Sequence, residues 1–202
     1  MVKPIPYVLA PPGLPVLRGL VFGEGTRDVL LVHDIGDDLD AWGSLPWSLA
    51  LAGYRVRAVD LPGHGLSDDP FTHELLPSVL DCLIDEVTGP GATHCHLVTA
   101  GVVTGAVLAA RSSTQISALV ALSPRLDEVW RATVRAHTGA KLLFASSLDQ
   151  DDLHHAQHFF QACRGPVVFS TLPVQETGVR LLASAWADHA LEQILLFLRR
   201  TG

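Results

Sequence analysis

His96-Leu97-Val98-Thr99-Ala100-Gly101-Val102-Val103-Thr104-Gly105-Ala106 is the stretch whose reading decides the fold. After His96 its first half is an apolar and β-branched run, the pattern of a strand buried on both faces. Ala100 and Gly101 then mark a sharp turn, and a helix is expected from Val102 to Arg111. A strand that passes directly into a helix is the joint of a parallel α/β sheet.

The same alternation extends in both directions. Upstream, the proline-rich first dozen residues (Pro4, Pro6, Pro11, Pro12) read as an extended lead-in. Strands are expected over 16–22, 28–33 and 54–60, and one helix over 41–52, with Trp42, Leu45, Leu49 and Ala52 at core spacing and Gly53 as its stop. A helix over 75–87 and a strand over 93–98 lead into the joint. Downstream, strands are expected over 116–122, 141–145 and 166–172. Helices are expected over 126–137, 151–163 and 180–200. Apolar strands alternating with helices mean a mainly parallel sheet covered on both faces, a three-layer α/β sandwich. No repeat or linker interrupts it, so residues 1–202 read as one domain.

Composition narrows the function classes. With 202 residues, 48% hydrophobic and 17% charged, the chain has the make-up of a packed globular protein. The net charge of −7 and the absence of a Lys/Arg cluster argue against nucleic-acid binding. Cys82, Cys95 and Cys163 have no zinc-type spacing, which points to buried thiols in a reducing cytoplasmic setting. No apolar run approaches membrane-spanning length, and no glycine-rich phosphate loop follows a strand. We therefore expect no cofactor and no metal.

Two further segments give the pattern a family likeness. Val29-Leu30-Leu31-Val32-His33 is followed by Ala41-Trp42 and then by Val59-Asp60-Leu61-Pro62-Gly63-His64-Gly65-Leu66-Ser67-Asp68. This set closely resembles the α/β-hydrolase family, in which a strand ending in His-Gly precedes the first helix and D-L-P-G-H-G-x-S follows the next strand. His96-Leu97-Val98 resembles the family's strand before its nucleophile elbow, and Val120-Ala121-Leu122-Ser123-Pro124 the strand after it. The resemblance implies the α/β-hydrolase fold and, for a typical member, hydrolysis by a Ser-His-Asp triad.

The positions that would carry that chemistry depart from the pattern. Gly101 stands at the tip of the elbow, where an activated nucleophile is required. Thr99 and Val103 replace the small residues usually found two positions to either side, and Thr104 would lie inside the helix. Glu176-Thr177-Gly178-Val179-Arg180-Leu181-Leu182 resembles the histidine-bearing segment, with Thr177 in the histidine's place. His189 is the fallback base, although its helical neighbours Glu192 and Gln193 suggest a solvent-facing position. Asp149, with Asp151 close by, matches the family's acid. The oxyanion-hole N–H groups would be those of Ile35 and Val102. Asp34 replaces the glycine after the strand, where a carboxylate opposes a developing oxyanion. A helix cap is another use for it.

Other clusters read as structural. His154 and His158 sit one helical turn apart but lack a third ligand. His94 and His96 share one face of a strand, and His64 belongs to its loop. Between Ser123 and Lys141 there is room for only one helix, so a sizeable cap insertion is not expected. Any pocket would be shallow, lined by Asp34, Ile35, Gly101, Val102 and Trp42 or Trp130. The resulting expectation is a hydrolase-fold protein that has lost hydrolysis and binds a small molecule or a protein partner, with a homodimer possible. Two alternatives stand beside it. One is a hydrolase of small ester-, thioester- or amide-like substrates with a non-standard arrangement, using His33, His64 or His189. The other is nucleophile-free lyase or oxygenase chemistry.

Overall fold

A computed structural model describes residues 3–89 and 94–201. Its eight strands are β1 (Ile5–Leu9), β2 (Leu17–Phe22), β3 (Arg27–Val32), β4 (Tyr54–Val59), β5 (Cys95–Ala100), β6 (Ile116–Leu122), β7 (Ala140–Ser146) and β8 (Val167–Leu172). They form one sheet in the order β1-β2-β4-β3-β5-β6-β7-β8. β2 runs antiparallel to β1 and to β4, and every other pairing is parallel. Parallel neighbours need crossover connections, and helices supply them. These are α1 (Leu45–Leu51), α2 (Leu76–Val87), α3 (Val103–Ala109), α4 (Arg131–Ala136) and α5 (Gln150–Ala162), and α6 (Ala187–Arg200) follows the last strand.

Two apolar layers flank the sheet. One packs Leu83 of α2, Val107 of α3, Val134 of α4 and Phe159 of α5 against Leu30, Leu97 and Leu119. The other packs Leu49 of α1 and Ile194 of α6, with Trp42, against Leu31, Val98 and Val120. All six residues of β5 are buried. That is why Leu97, Val98 and Ala100 show no solvent-facing polar alternation, and the strand's two polar side chains, His96 and Thr99, are themselves buried. The central register pairs Val32 with Thr99 and Ala100 with Leu122, so β3, β5 and β6 end side by side. Their following loops converge at the C-terminal edge of the sheet, where ligands of open α/β sheets bind. No helix of the described residues is long and apolar enough to cross a membrane.

Expected boundaries change, as where the helix expected over 126–137 is a 3₁₀ turn at Glu128–Trp130 followed by α4. The proline-rich lead-in contains β1, an edge strand paired with β2 through Pro6 and Leu20. An edge position tolerates a residue without an N–H. The helix expected over 41–52 is split into a 3₁₀ turn at Leu39–Trp42 and α1, because Gly43 takes a left-handed φ of 53° between them. The closing helix expected over 180–200 is likewise a 3₁₀ turn at Gly178–Ala183 followed by α6. Ser184 makes that break: its hydroxyl donates to Leu181 O and accepts the Trp186 N–H. Thr93, included in the expected strand, lies outside the described residues.

Candidate functional site

The joint between β5 and α3 is held by main-chain bonds on both sides of Gly101. Its N–H donates to Leu122 O at 3.0 Å, and its carbonyl accepts the Arg125 N–H at 3.1 Å. Gly101 has a φ of +56°, a left-handed conformation that glycine adopts without cost. Space also excludes a side chain here. A Cβ added to Gly101 would overlap the carboxylate of Asp34, whose three atoms are its nearest neighbours. Thr99 and Thr104 hydrogen-bond each other at 2.9 Å and are fully buried, which ties strand to helix and occupies both hydroxyls.

Asp34 therefore points inward. The Val102 N–H donates to its Oδ1 at 3.1 Å. Burial pushes its carboxyl above the ordinary carboxylate range, against the pull of the Ile35, Val102 and Val103 N–H groups that donate to it. The amides of Ile35 and Val102, which the sequence pattern assigns to an oxyanion hole, are thus turned onto a carboxylate of the chain itself. Asp34 is a cap, but of α3 across the joint and not of the turn that follows it in sequence.

Two histidines fix the loop that presents Asp34. His33 is fully buried; its Nδ1 bonds Asp34 O at 2.7 Å and its Nε2 accepts the Leu61 N–H at 3.0 Å. Burial pushes its imidazole down, toward the neutral form. His64 accepts the Gly36 N–H at Nε2 and bonds Pro62 O through Nδ1. Each ring has both nitrogens engaged by the main chain, so neither is free to take a proton from a substrate. His189 packs on Trp186 and bonds Gln193 on the exposed side of α6.

The neighbouring joint, at the end of β6, holds a feature that the sequence pattern does not announce. Ser123 has a φ of +49°, the one positive-φ non-glycine among the described residues. A residue before proline is normally extended, so Leu122-Ser123-Pro124 gave no sign of it. Ser123 Oγ donates to Asp152 Oδ2 at 3.0 Å and accepts the Gly178 N–H at 2.7 Å. Asp152 is 1% exposed; Oδ2 also accepts the Ser146 N–H, and Oδ1 has no hydrogen-bond partner. Burial raises the Asp152 carboxyl above its ordinary range. Asp149, the acid position of the resemblance, caps α5 by accepting the Asp152 N–H at 2.9 Å.

One cavity of about 250 Å³ joins these elements. Asp34, Ile35, Gly101 and Thr177 line it together; Val102 does not line it, and its N–H is bonded to Asp34. Ser123, Asp37, Arg125 and Arg180 also line it, and the sequence reading assigned none of them to the site. Asp149, His189 and the two tryptophans weighed for it, Trp42 and Trp130, are not among its lining residues, and neither is any histidine. His158, half of the pair at metal-ligand spacing, bonds Arg131. Among the described residues no group of three or more His, Cys, Asp or Glu side chains is placed to hold a metal ion.

Comparison with solved structures gives this architecture its class: the chain has the α/β-hydrolase fold. An esterase from Pyrococcus furiosus is similar over 100% of this chain and 92% of its own, with a TM-score of 0.80 at 13% identity. A predicted CIB-like hydrolase from Thermoplasma acidophilum matches over 99% of this chain and 100% of its own, with a TM-score of 0.76 at 16% identity. An enol-lactonase from Burkholderia xenovorans matches over 96% and 100%, with a TM-score of 0.75 at 15% identity. No protein-family model matches the sequence, and no curated protein matches it closely. At such identities the likeness speaks for the fold, and function rests on the site's own residues.

Proposed function

We propose that this chain is a ligand-binding protein built on a hydrolase fold, and that it does not catalyse acyl transfer. The observation that carries this reading is the Asp34 carboxylate, which fills the space a nucleophile's side chain would need above Gly101. It also uses the Val102 N–H that would otherwise stabilise an oxyanion. A negative charge placed there raises the energy of a tetrahedral intermediate. Thr177, in the position the resemblance gives to the histidine, offers no base.

The test is a panel of activated short-chain esters and thioesters. The expected result is turnover no faster than buffer, in the wild type and in Gly101→Ser alike. Turnover well above buffer that disappears in Asp34→Asn would overturn the reading and support the alternative, a hydrolase with a non-standard arrangement.

A second reading has one observation in its favour. A half-buried carboxyl with a raised pKa lining a cavity is suited to general acid–base work without a nucleophile. It predicts exchange of protons next to a carbonyl with solvent deuterium, followed by NMR and abolished in Asp34→Asn. No exchange with small oxoacids and ketones would count against it.

A further inference from the structure

We infer, resting on the binding reading above, that the cavity beside Gly101 takes a small zwitterion of amino-acid size. Its ammonium meets Asp34 and Asp37, and its carboxylate meets Arg125 and Arg180. The argument begins with charge placement. Asp34 and Asp37 come from the loop after β3, Arg125 from the segment after β6, and Arg180 from the 3₁₀ turn after β8. Elsewhere in the molecule, neighbouring arginines and carboxylates close into ion pairs: Arg55 reaches Asp28 at 2.6 Å, and Arg131 reaches Glu128 at 2.6 Å. Arg125 also pulls on the Asp152 carboxyl behind Ser123, but among the described residues neither arginine closes an ion pair with Asp34 or Asp37 at the cavity.

A molecule with one charge of each sign serves both walls at once. A simple anion or cation leaves one wall unmatched, and that mismatch is what discriminates between them. Size points the same way. Sites for drug-sized ligands occupy about 300–1,000 Å³, and this cavity, at about 250 Å³, is smaller. The N–H groups that an anion would seek at the joint are already bonded to Asp34, which directs the ligand's carboxylate to the guanidinium side. Thr177 adds a hydroxyl at the same cavity; it stands at the N-cap of its turn without making the capping hydrogen bond.

Calorimetric titration of the full chain tests this with glycine, β-alanine and γ-aminobutyrate, which separate the two charges progressively. Acetate and methylamine serve as single-charge probes. The expected result is saturable binding of at least one zwitterion, about tenfold tighter than either single-charge probe. Arg125→Gln and Arg180→Gln should each weaken that binding about tenfold without changing the melting temperature, because both side chains are exposed. Asp37→Asn should weaken the zwitterion and leave acetate unaffected. Failure of every zwitterion to saturate would overturn the inference, as would acetate binding equally well or arginine variants that bind like the wild type. Ester turnover would overturn the proposed function instead, and it is read in a separate assay, so the two failures are distinguishable.

Discussion

Gly101 and Ser123 stand one residue past the ends of adjacent parallel strands, and both are left-handed, with φ of +56° and +49°. At Gly101 the conformation costs nothing, and the space above the backbone is filled by Asp34 from the loop after β3. At Ser123 a side chain is kept in a conformation that costs about 1–2 kcal/mol. It stays there because its hydroxyl is held by Asp152 and Gly178 and its N–H donates to Phe144 O at 2.8 Å. The same sheet edge thus has one joint relieved of strain and one that stores it. Strain persists where the surroundings over-determine it. Here those surroundings tie β6, α5 and the turn after β8 into one wall of the cavity.

The largest expected effect breaks the first joint. Gly101→Ala should destabilise the fold by about 2–4 kcal/mol, through its overlap with Asp34 and its left-handed backbone. In an Asp34→Gly background the same change should cost only the backbone term, about 1–2 kcal/mol. Urea denaturation of the four proteins of this double-mutant cycle measures the difference. Additive costs would mean that Asp34 does not occupy the space above Gly101.

At the second joint, Ser123→Ala leaves the Gly178 N–H and the Asp152 carboxylate short of a partner and should cost about 1–3 kcal/mol. Ser123→Gly loses the same bonds but relieves the backbone, so it should be about 1 kcal/mol more stable than Ser123→Ala. Equal stabilities of the two variants in thermal or urea melts would show that no strain is held there.

The smallest effect concerns pH. Burial raises the Asp34 carboxyl, so the folded state favours its protonated form. The stability this contributes is fully present below the ordinary carboxylate range and is lost as pH rises through the raised value. Asp34→Asn should flatten the melting-temperature profile on that limb. His96 contributes with the opposite sign. Burial pulls its imidazole down to about 4, so stability is lost as pH falls from about 6.5 toward 4, and replacing it with Gln should flatten the acid limb. An unchanged profile in either variant would show that the corresponding group does not set the pH dependence of stability.

The sheet could be read in the sequence because its central strands are buried on both faces. A strand such as β3 carries the continuous apolar run Val29–Val32 for that reason, and the loop from Asp60 to Asp68 carries local turn chemistry at fixed spacing. Helix breaks were less legible. Gly43 and Ser184 interrupt patterns whose apolar periodicity continues across them, because both halves of each pattern pack on the same face. Within the site, Asp34, Gly101 and Thr177 could be singled out because each departs from a local motif. Arg125 and Arg180 could not, since an arginine on a surface segment has no local signature. Ser123 was hidden by the proline that follows it.

What the sequence determined by itself was the alternation of strands and helices and which residue types stand at the joints, because burial and turn geometry act over a few neighbouring residues. Where the Asp34 carboxylate lies was decided only in three dimensions. It bonds an amide 68 residues further along the chain, and that meeting depends on β3 and β5 lying side by side in register. Ser123, Asp152 and Gly178 come together for the same reason: strands far apart in sequence end at one edge of the sheet, and hydrogen bonds between their loops select conformations that no local pattern favours.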